Sequence, residues 1–294
     1  MTSRPAAMSA NLIGTLFMIA AMGVFAIEDA LIKAAGAIMP LGQVMIFFGL
    51  GGALVFASLT LLRGEPLFTP DVVSRPMRIR VGFEITGRLF YFLAITLTPL
   101  SAATVILQAT PLVVVASAAL VFGETVGWKR WAAIVIGLIG VIVIIRPGSD
   151  SFSALSLLAV IGMLGFAGRD LASRAAPASI STALLGLYGF LSVVVAGGLF
   201  ALWSGEPFVW LDRSGWLVLG AAVLSGVFAY SFLMKAMRTG EISAVTPFRY
   251  TRLLFGVALG VILFGESLSP TILLGSGLIV CSGLFIVWRA RQAG

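Results

Sequence analysis

The sequence contains no histidine and a single cysteine, Cys281. The first absence removes the commonest metal ligand and proton shuttle. The second rules out an intrachain disulfide. Charge is scarce as well, since Asp, Glu, Lys and Arg make up only 11% of 294 residues. No Walker-type phosphate loop occurs, so nothing supports drive by ATP. The formal net charge is +7, but the basic residues are scattered between apolar runs. They form no contiguous basic face interleaved with aromatics, and no nucleic-acid partner is expected.

What the chain does contain is apolar sequence. It is 60% hydrophobic, with a mean hydropathy of +1.10. Apolar runs of about 20 residues match a bilayer core of roughly 30 Å. A β-barrel would show short alternating segments instead. The pattern predicts an all-α integral membrane protein with spans at 12–32, 41–62, 79–97, 101–121, 130–146, 154–173, 181–203, 215–236, 242–264 and 271–289. Punctuation at Pro40, Gly64-Glu65-Pro66, Pro99, Pro147-Gly148, Pro177, Gly240 and Pro270 separates them. The first run ends in Glu28 and Asp29 rather than a small-residue cleavage site, so it reads as a retained span and not a signal peptide.

The chain also repeats itself. Ala94, Ser101, Ala102, Thr104 and Phe122-Gly123-Glu124 return as Ala236, Ser243, Ala244, Thr246 and Phe264-Gly265-Glu266. Gly64-Glu65-Pro66 returns as Gly205-Glu206-Pro207, and Asp29 as Asp170. Each copy holds five spans, which divides the chain into repeats over 1–150 and 151–294. An odd number of spans inserts the second copy upside down, and inverted repeats are a transporter architecture.

Charge bias agrees with inversion. On the ten-span reading one side carries Arg4, Arg63, Arg75, Arg78, Arg80, Lys129, Arg130, Arg169, Arg174, Lys235, Arg238, Arg289 and Arg291, and the other only Lys33, Arg146 and Arg213. The positive-inside rule then places both termini in the cytoplasm. Lys129-Arg130 corresponds to the uncharged Thr271-Ile272 of the second copy, and Lys235 and Arg238 to Leu93 and Thr96 of the first. All six tryptophans, Trp128, Trp131, Trp203, Trp210, Trp216 and Trp288, fall at span boundaries, as an aromatic belt requires.

Ionisable groups inside spans cost roughly 2.5–3.5 kcal/mol each at the helix centre and need a reason. Glu84 and Arg88 are four residues apart on one helix face, either as an intrahelical pair or as the lining of a polar cavity. Their repeat positions are Gly226 and Tyr230, so the architecture does not demand the charge. Arg249 and Arg252 follow Pro247. Arg249 is within snorkelling reach of the surface, whereas Arg252 lies deep with no carboxylate at i±4 and is the leading candidate for a substrate carboxylate or counterion. Glu28, Asp29 and Lys33 end the first span and Arg169, Asp170 and Arg174 the sixth. They suit helix-end pairing, gating contacts or, for Glu28 and Asp29, proton coupling. Ser101, Thr104 and Gln108, with Pro111, form a neutral polar stripe matched by Ser243, Thr246 and Tyr250, either a packing seam or a cavity wall. Tyr230 and Tyr250 could stack an aromatic substrate.

The five-plus-five arrangement, the doubled Phe-Gly-Glu after a Ser-Ala-x-Thr start, and the Gly-Glu-Pro turns resemble the drug/metabolite transporter superfamily. The closest resemblance is to its ten-span bacterial amino-acid and metabolite exporters, of the aromatic amino acid and methyl viologen type. The resemblance runs from Leu12 to Arg289. It implies a central cavity between two five-helix bundles and gives Glu124 and Glu266 roles as helix caps or packing elements.

The expected function is secondary export of amino acids, related metabolites or cationic drugs across the bacterial inner membrane by alternating access. The substrate-binding set is Arg252, Arg88, Glu84, Gln108, Thr104, Tyr230, Tyr250 and Thr246. Glu28, Asp29, Asp170 and Arg249 are candidates for gating or coupling. No enzyme activity, cofactor or metal is expected. The partners are the lipid bilayer and a small-molecule substrate, with a monomer sufficient and a dimer compatible. The alternatives are a nucleotide-sugar or phosphorylated-metabolite exchanger of the same fold, or an integral-membrane enzyme.

Overall fold

Inside a bilayer every backbone N–H and C=O must be satisfied within its own segment, so long apolar runs become helices. The computed structural model describes residues 4–122, 127–146, 153–177, 179–239 and 246–293, and among them it is all helical. The helices are α1 (Arg4–Gly36), α2 (Leu41–Leu62), α3 (Arg75–Leu97), α4 (Leu100–Leu107), α5 (Thr110–Phe122), α6 (Trp128–Ile145), α7 (Ser156–Arg174), α8 (Thr182–Ser204), α9 (Arg213–Thr239), α10 (Thr251–Phe264) and α11 (Pro270–Ala293). Short 3-10 turns occupy Pro70–Val73 and Thr246–Tyr250. Among the described residues six stretches are long and apolar enough to cross a membrane, and the expected 79–97 span is not one of them. All six tryptophans are exposed.

Two expected spans are interrupted. The 101–121 helix breaks at Gln108-Ala109, where backbone bonds shorten to the 3-10 pattern, Gln108 N–H to Val105 O at 3.0 Å and Ala109 N–H to Ile106 O at 3.1 Å. Pro111 is the cause, because it has no N–H for the Leu107 carbonyl and its ring crowds that oxygen. The Thr110 hydroxyl takes the place of the missing donor, at 2.6 Å from Leu107 O. The repeat-equivalent stretch around Pro247 is likewise 3-10 rather than the expected α-helix. Gly123, Glu124, Ser243 and Ala244 lie outside the described residues, as do the side chains of Thr246 and Pro247.

The chain forms two compact units, and each takes segments from both halves of the sequence. The first comprises Met1–Ile27, Leu100–Ser153 and Phe228–Gly294. In it the N-terminal part of α1 meets the C-terminal part of α9 through Met18, Ala21, Met22 and Phe25 against Ala229, Leu233 and Ala236. Here α4 packs on α10 and α6 on α11. Small residues allow the close approach: a Cβ at Gly256 would fall 2.5 Å from Thr104 Cγ2, and one at Gly140 2.8 Å from the Gly275 carbonyl.

This unit also explains the Phe-Gly-Glu signature. Gly265 ends α10 in the left-handed region (φ 62°), which a side chain resists, and the Glu266 N–H turns back to Gly260 O at 3.1 Å. The carboxylate of Glu266 is thereby delivered to the start of α4, accepting the N–H of Leu100 at 2.6 Å and of Ser101 at 2.9 Å. It neutralises the positive end of that helix. The structural role expected for Glu266 is thus observed. Glu266→Ala should cost about 2 kcal/mol in thermal unfolding, with Glu266→Gln intermediate, because two helix N–H groups lose their acceptor.

The second unit comprises Glu28–Pro99 and Ala154–Val227. The repeat-equivalent helices α2 and α8 pair along their lengths, with glycines meeting the opposite helix; a Cβ at Gly49 would lie 2.8 Å from Val194 N. Both helices end on a left-handed glycine, Gly64 and Gly205, which is why Gly-Glu-Pro recurs. The pairing of α3 with α7 is closer still. On α7, Gly162, Gly165 and Gly168 lie three residues apart on one face. Added Cβ atoms there would meet Tyr91 N at 2.9 Å, Gly87 Cα at 2.5 Å and the Phe83 ring at 2.4 Å. That near-contact of backbones brings the charged end of α7 to the middle of α3.

Candidate functional site

On α3, Arg80, Glu84 and Arg88 are spaced i, i+4, i+8, so they form a stripe roughly 12 Å long on one face. Glu84 is at its centre and almost fully buried, with a side chain 3% exposed. Three guanidinium groups surround it. Glu84 Oε1 lies 3.4 Å from Arg88 Nε and 3.4 Å from Arg169 Nη1 of α7, while Oε2 lies 3.5 Å from Arg80 Nη2.

The stripe extends in both directions. Arg88 Nη1 donates to Glu28 Oε1 on α1 at 3.0 Å, and Arg169 Nη2 donates to its neighbour Asp170 at 2.8 Å. Carboxylates and guanidiniums therefore alternate along Glu28, Arg88, Glu84, Arg169 and Asp170. Asp29 joins from the same turn as Glu28, accepting the Tyr91 hydroxyl at 3.0 Å. Arg80 is held from behind by its Nε donating to Ser173 Oγ at 2.9 Å and Nη2 to Leu185 O at 3.4 Å. Aromatic faces complete the site. The Phe166 ring lies 5.7 Å from the Arg88 guanidinium carbon and 4.8 Å from that of Arg169, with Tyr91 edge-on to the same ring.

The geometry corrects two expectations. Glu28 and Asp29 are not helix-end residues, because α1 continues to Gly36, roughly 12 Å farther at 1.5 Å per residue. Both are buried, and Lys33 reaches across to the last carbonyls of α3, Ile95 O at 2.9 Å and Thr98 O at 2.7 Å. Nor is Arg80 a flanking surface charge, since it is only 3% exposed. Arg80 is the functional candidate that sequence reasoning missed, and Arg169, expected to serve in helix-end pairing or gating contacts, also reaches Glu84. The available signals were the second i, i+4 step below Glu84 and the three-residue glycine spacing that leads to Arg169.

The remaining candidates belong to the other unit. Arg252 lies over the Phe25 ring, 4.9 Å from its centroid, and with Arg249 and Tyr230 is half-buried. Thr104 is fully buried against α10, and Gln108 sits at the break between α4 and α5. Tyr250 closes the 3-10 turn, its hydroxyl pressed on Gly283. Ser101 Oγ, Thr104 Oγ1, Gln108 Nε2 and Tyr250 OH are buried and have no hydrogen-bond partner among the described residues. Unsatisfied polar atoms are costly in an apolar surrounding, so this seam is a second polar feature. Among the described residues no group of acidic, histidine or cysteine side chains could hold a metal ion.

Helices interrupted at prolines, and charges such as Glu28 of α1 and Arg169 of α7 inside segments apolar enough for a bilayer, are features of transporters. The model of the EamA-like transporter family matches the chain twice, at residues 12–146 and 154–288. The chain belongs to that family. The two matches in this EamA-like protein fall on the two halves marked by the internal repeat. It is 27% identical over 204 residues to the S-adenosylmethionine uptake transporter of Rickettsia felis, covering 68% of this chain and 67% of the relative. Identity to the pseudopaline exporter CntI of Pseudomonas aeruginosa is 28% over 273 residues, 91% and 93% of the two chains. A riboflavin transporter of Vibrio cholerae is 28% identical over 222 residues, 73% of this chain and 72% of its own. A solved crystal structure shares the fold, with a TM-score of 0.63 and 22% identity over 94% of this chain and 96% of the other. The EamA-like protein is accordingly a multi-pass membrane transporter of the drug/metabolite superfamily, acting on small molecules.

Proposed function

We propose that the protein exports amino acids, including aromatic ones, and related small metabolites or cationic drugs across the bacterial inner membrane by alternating access. In this reading its spans form two inverted repeats and both termini are cytoplasmic. The observation that carries the proposal is the alternation of carboxylate and guanidinium from Glu28 to Asp170. A zwitterion matches such a ladder: its carboxylate takes Arg88 and Arg169, and its ammonium takes Glu28 or Asp170. Phe166 and Tyr91 supply aromatic surface at the same place. S-adenosylmethionine, named for the Rickettsia relative, itself carries an α-ammonium and a carboxylate. Arg252, Arg249, Thr104, Gln108, Tyr230, Tyr250 and Thr246 are assigned to the substrate path of the other unit.

Three arginines around one point also favour a phosphorylated metabolite. The balance of charge opposes it, because Glu28, Asp29, Glu84 and Asp170 outnumber Arg80, Arg88 and Arg169. A dianion would add to a surplus of negative charge.

The test is counterflow in proteoliposomes. Vesicles loaded with unlabelled phenylalanine should accumulate labelled phenylalanine, with and without a pH gradient, and Arg252→Ala should reduce the rate sharply. If no proteinogenic amino acid exchanges while a phosphorylated metabolite does, the amino-acid reading fails.

A further inference from the structure

Arg80, Arg88 and Arg169 converge on one carboxylate, and that carboxylate belongs to the protein. We infer that Glu84 is an internal stand-in for the carboxylate of the transported molecule, and that the substrate binds by taking the place of Glu84 Oε1 on Arg88 and Arg169 while Glu84 withdraws onto Arg80. The inference rests on the amino-acid reading above and adds to it how the carboxylate is received and released.

Three observations support it. First, the two oxygens of Glu84 have different partners. Oε1 bridges Arg88 and Arg169, whose side chains are 13% and 21% exposed, whereas Oε2 faces Arg80, which is 4% exposed. An incoming carboxylate thus reaches the partners of one oxygen and not those of the other. Second, Arg80 is incompletely used. Its Nε and Nη2 are engaged, but Nη1 is buried with no hydrogen-bond partner among the described residues. A carboxylate that turned onto Arg80 would meet Nη1 and Nη2 together, the forked geometry in which guanidinium binds carboxylate best. The withdrawn arrangement satisfies the orphaned donor. Third, the residue facing the pair from α8 carries no side chain. Gly189 of α8 faces it, and a Cβ built there would lie 3.6 Å from Arg80 Nη2 and 4.0 Å from Glu84 Oε2.

A zwitterionic substrate leaves the net charge of the site unchanged. In the resting arrangement Glu84 is shared by three guanidiniums, of which Arg88 also holds Glu28 and Arg169 also holds Asp170. With substrate bound, the substrate carboxylate serves Arg88 and Arg169, and Glu84 serves Arg80. No buried cation is left without an anion at either stage, which a low-dielectric site requires. Return of Glu84 to the bridging position competes with the substrate and expels it, so tight binding and fast release need not conflict. Arg80 is a positioning residue in this scheme, since it acts on the substrate only through Glu84.

The experiment uses the full-length protein in lipid nanodiscs, with benzoate as a monocarboxylate probe and benzamide as its uncharged control. Removing the internal competitor in Glu84→Gln should tighten benzoate binding at least about tenfold, a change on the scale of one charge-assisted hydrogen bond, and leave benzamide unaffected. Gly189→Val keeps every charge and fills the space for withdrawal. It should weaken benzoate binding about tenfold with unchanged thermal stability. Benzoate affinity in Glu84→Gln equal to or weaker than wild type overturns the stand-in role, and wild-type affinity in Gly189→Val overturns the withdrawal. Because the readout is equilibrium binding of a probe, it is separable from substrate identity. If benzoate behaves as expected but no amino acid is exchanged, only the substrate class is wrong. If amino acids exchange but the probe results fail, the carboxylate is received elsewhere.

Discussion

Replacing Glu84 by alanine is expected to abolish counterflow and to lower the unfolding free energy by about 3–5 kcal/mol, the range for breaking a buried ion pair from one side. The reason is local. Glu84 is the common counterion of Arg80, Arg88 and Arg169, and all three guanidiniums stay behind when it is removed. Transport suffers twice, because the α3–α7 contact loses its charge balance and a bound carboxylate loses the group that displaces it. Thermal unfolding in nanodiscs and counterflow in vesicles measure the two effects separately. A Glu84→Ala protein with wild-type stability and flux would remove the ladder from both roles.

The second large effect is expected at a residue with no charge. Gly165→Val inserts a side chain where a Cβ already falls 2.5 Å from the Cα of Gly87, a backbone atom that has no rotamer to change. Overpacking of this kind costs about 1–3 kcal/mol. Because the obstruction is backbone, α3 and α7 must separate, and the 3.4 Å contact between Arg169 and Glu84 opens with them. Loss of flux at least as large as in an Arg169→Ala protein is the expected outcome. Gly198→Ala, at a helical glycine with open space around it, serves as the control and should be neutral or stabilise by about 0.5–1 kcal/mol. If Gly165→Val transports like wild type, close helix approach does not set the site.

The pairing of Glu84 with Arg88 was legible in the sequence because helical spacing alone places i and i+4 side by side. The cap or packing role of Glu266 was implied by the resemblance of the doubled Phe-Gly-Glu to the transporter superfamily, and the structure shows which helix it caps. Arg80 was not legible, and Arg169 was legible only as a helix-end or gating residue, as their sequence neighbourhood is that of basic residues flanking a span, and hydropathy treats burial and snorkelling alike. The break at Gln108-Ala109 was foreshadowed by Pro111, but the hydroxyl of Thr110 that completes it depends on a rotamer.

Apolar run length, the scarcity of charge and the repeated motifs were sufficient to set the helical membrane class and membership of a transporter superfamily, because each follows from one-dimensional pattern and from what a bilayer tolerates. Which charges meet was decided only in three dimensions. Glu28, Glu84 and Arg169 sit on three helices, 56 and 85 residues apart along the chain (84 − 28 and 169 − 84). They come within reach only where α1 runs on past Asp29 and where the glycines of α7 let two backbones touch.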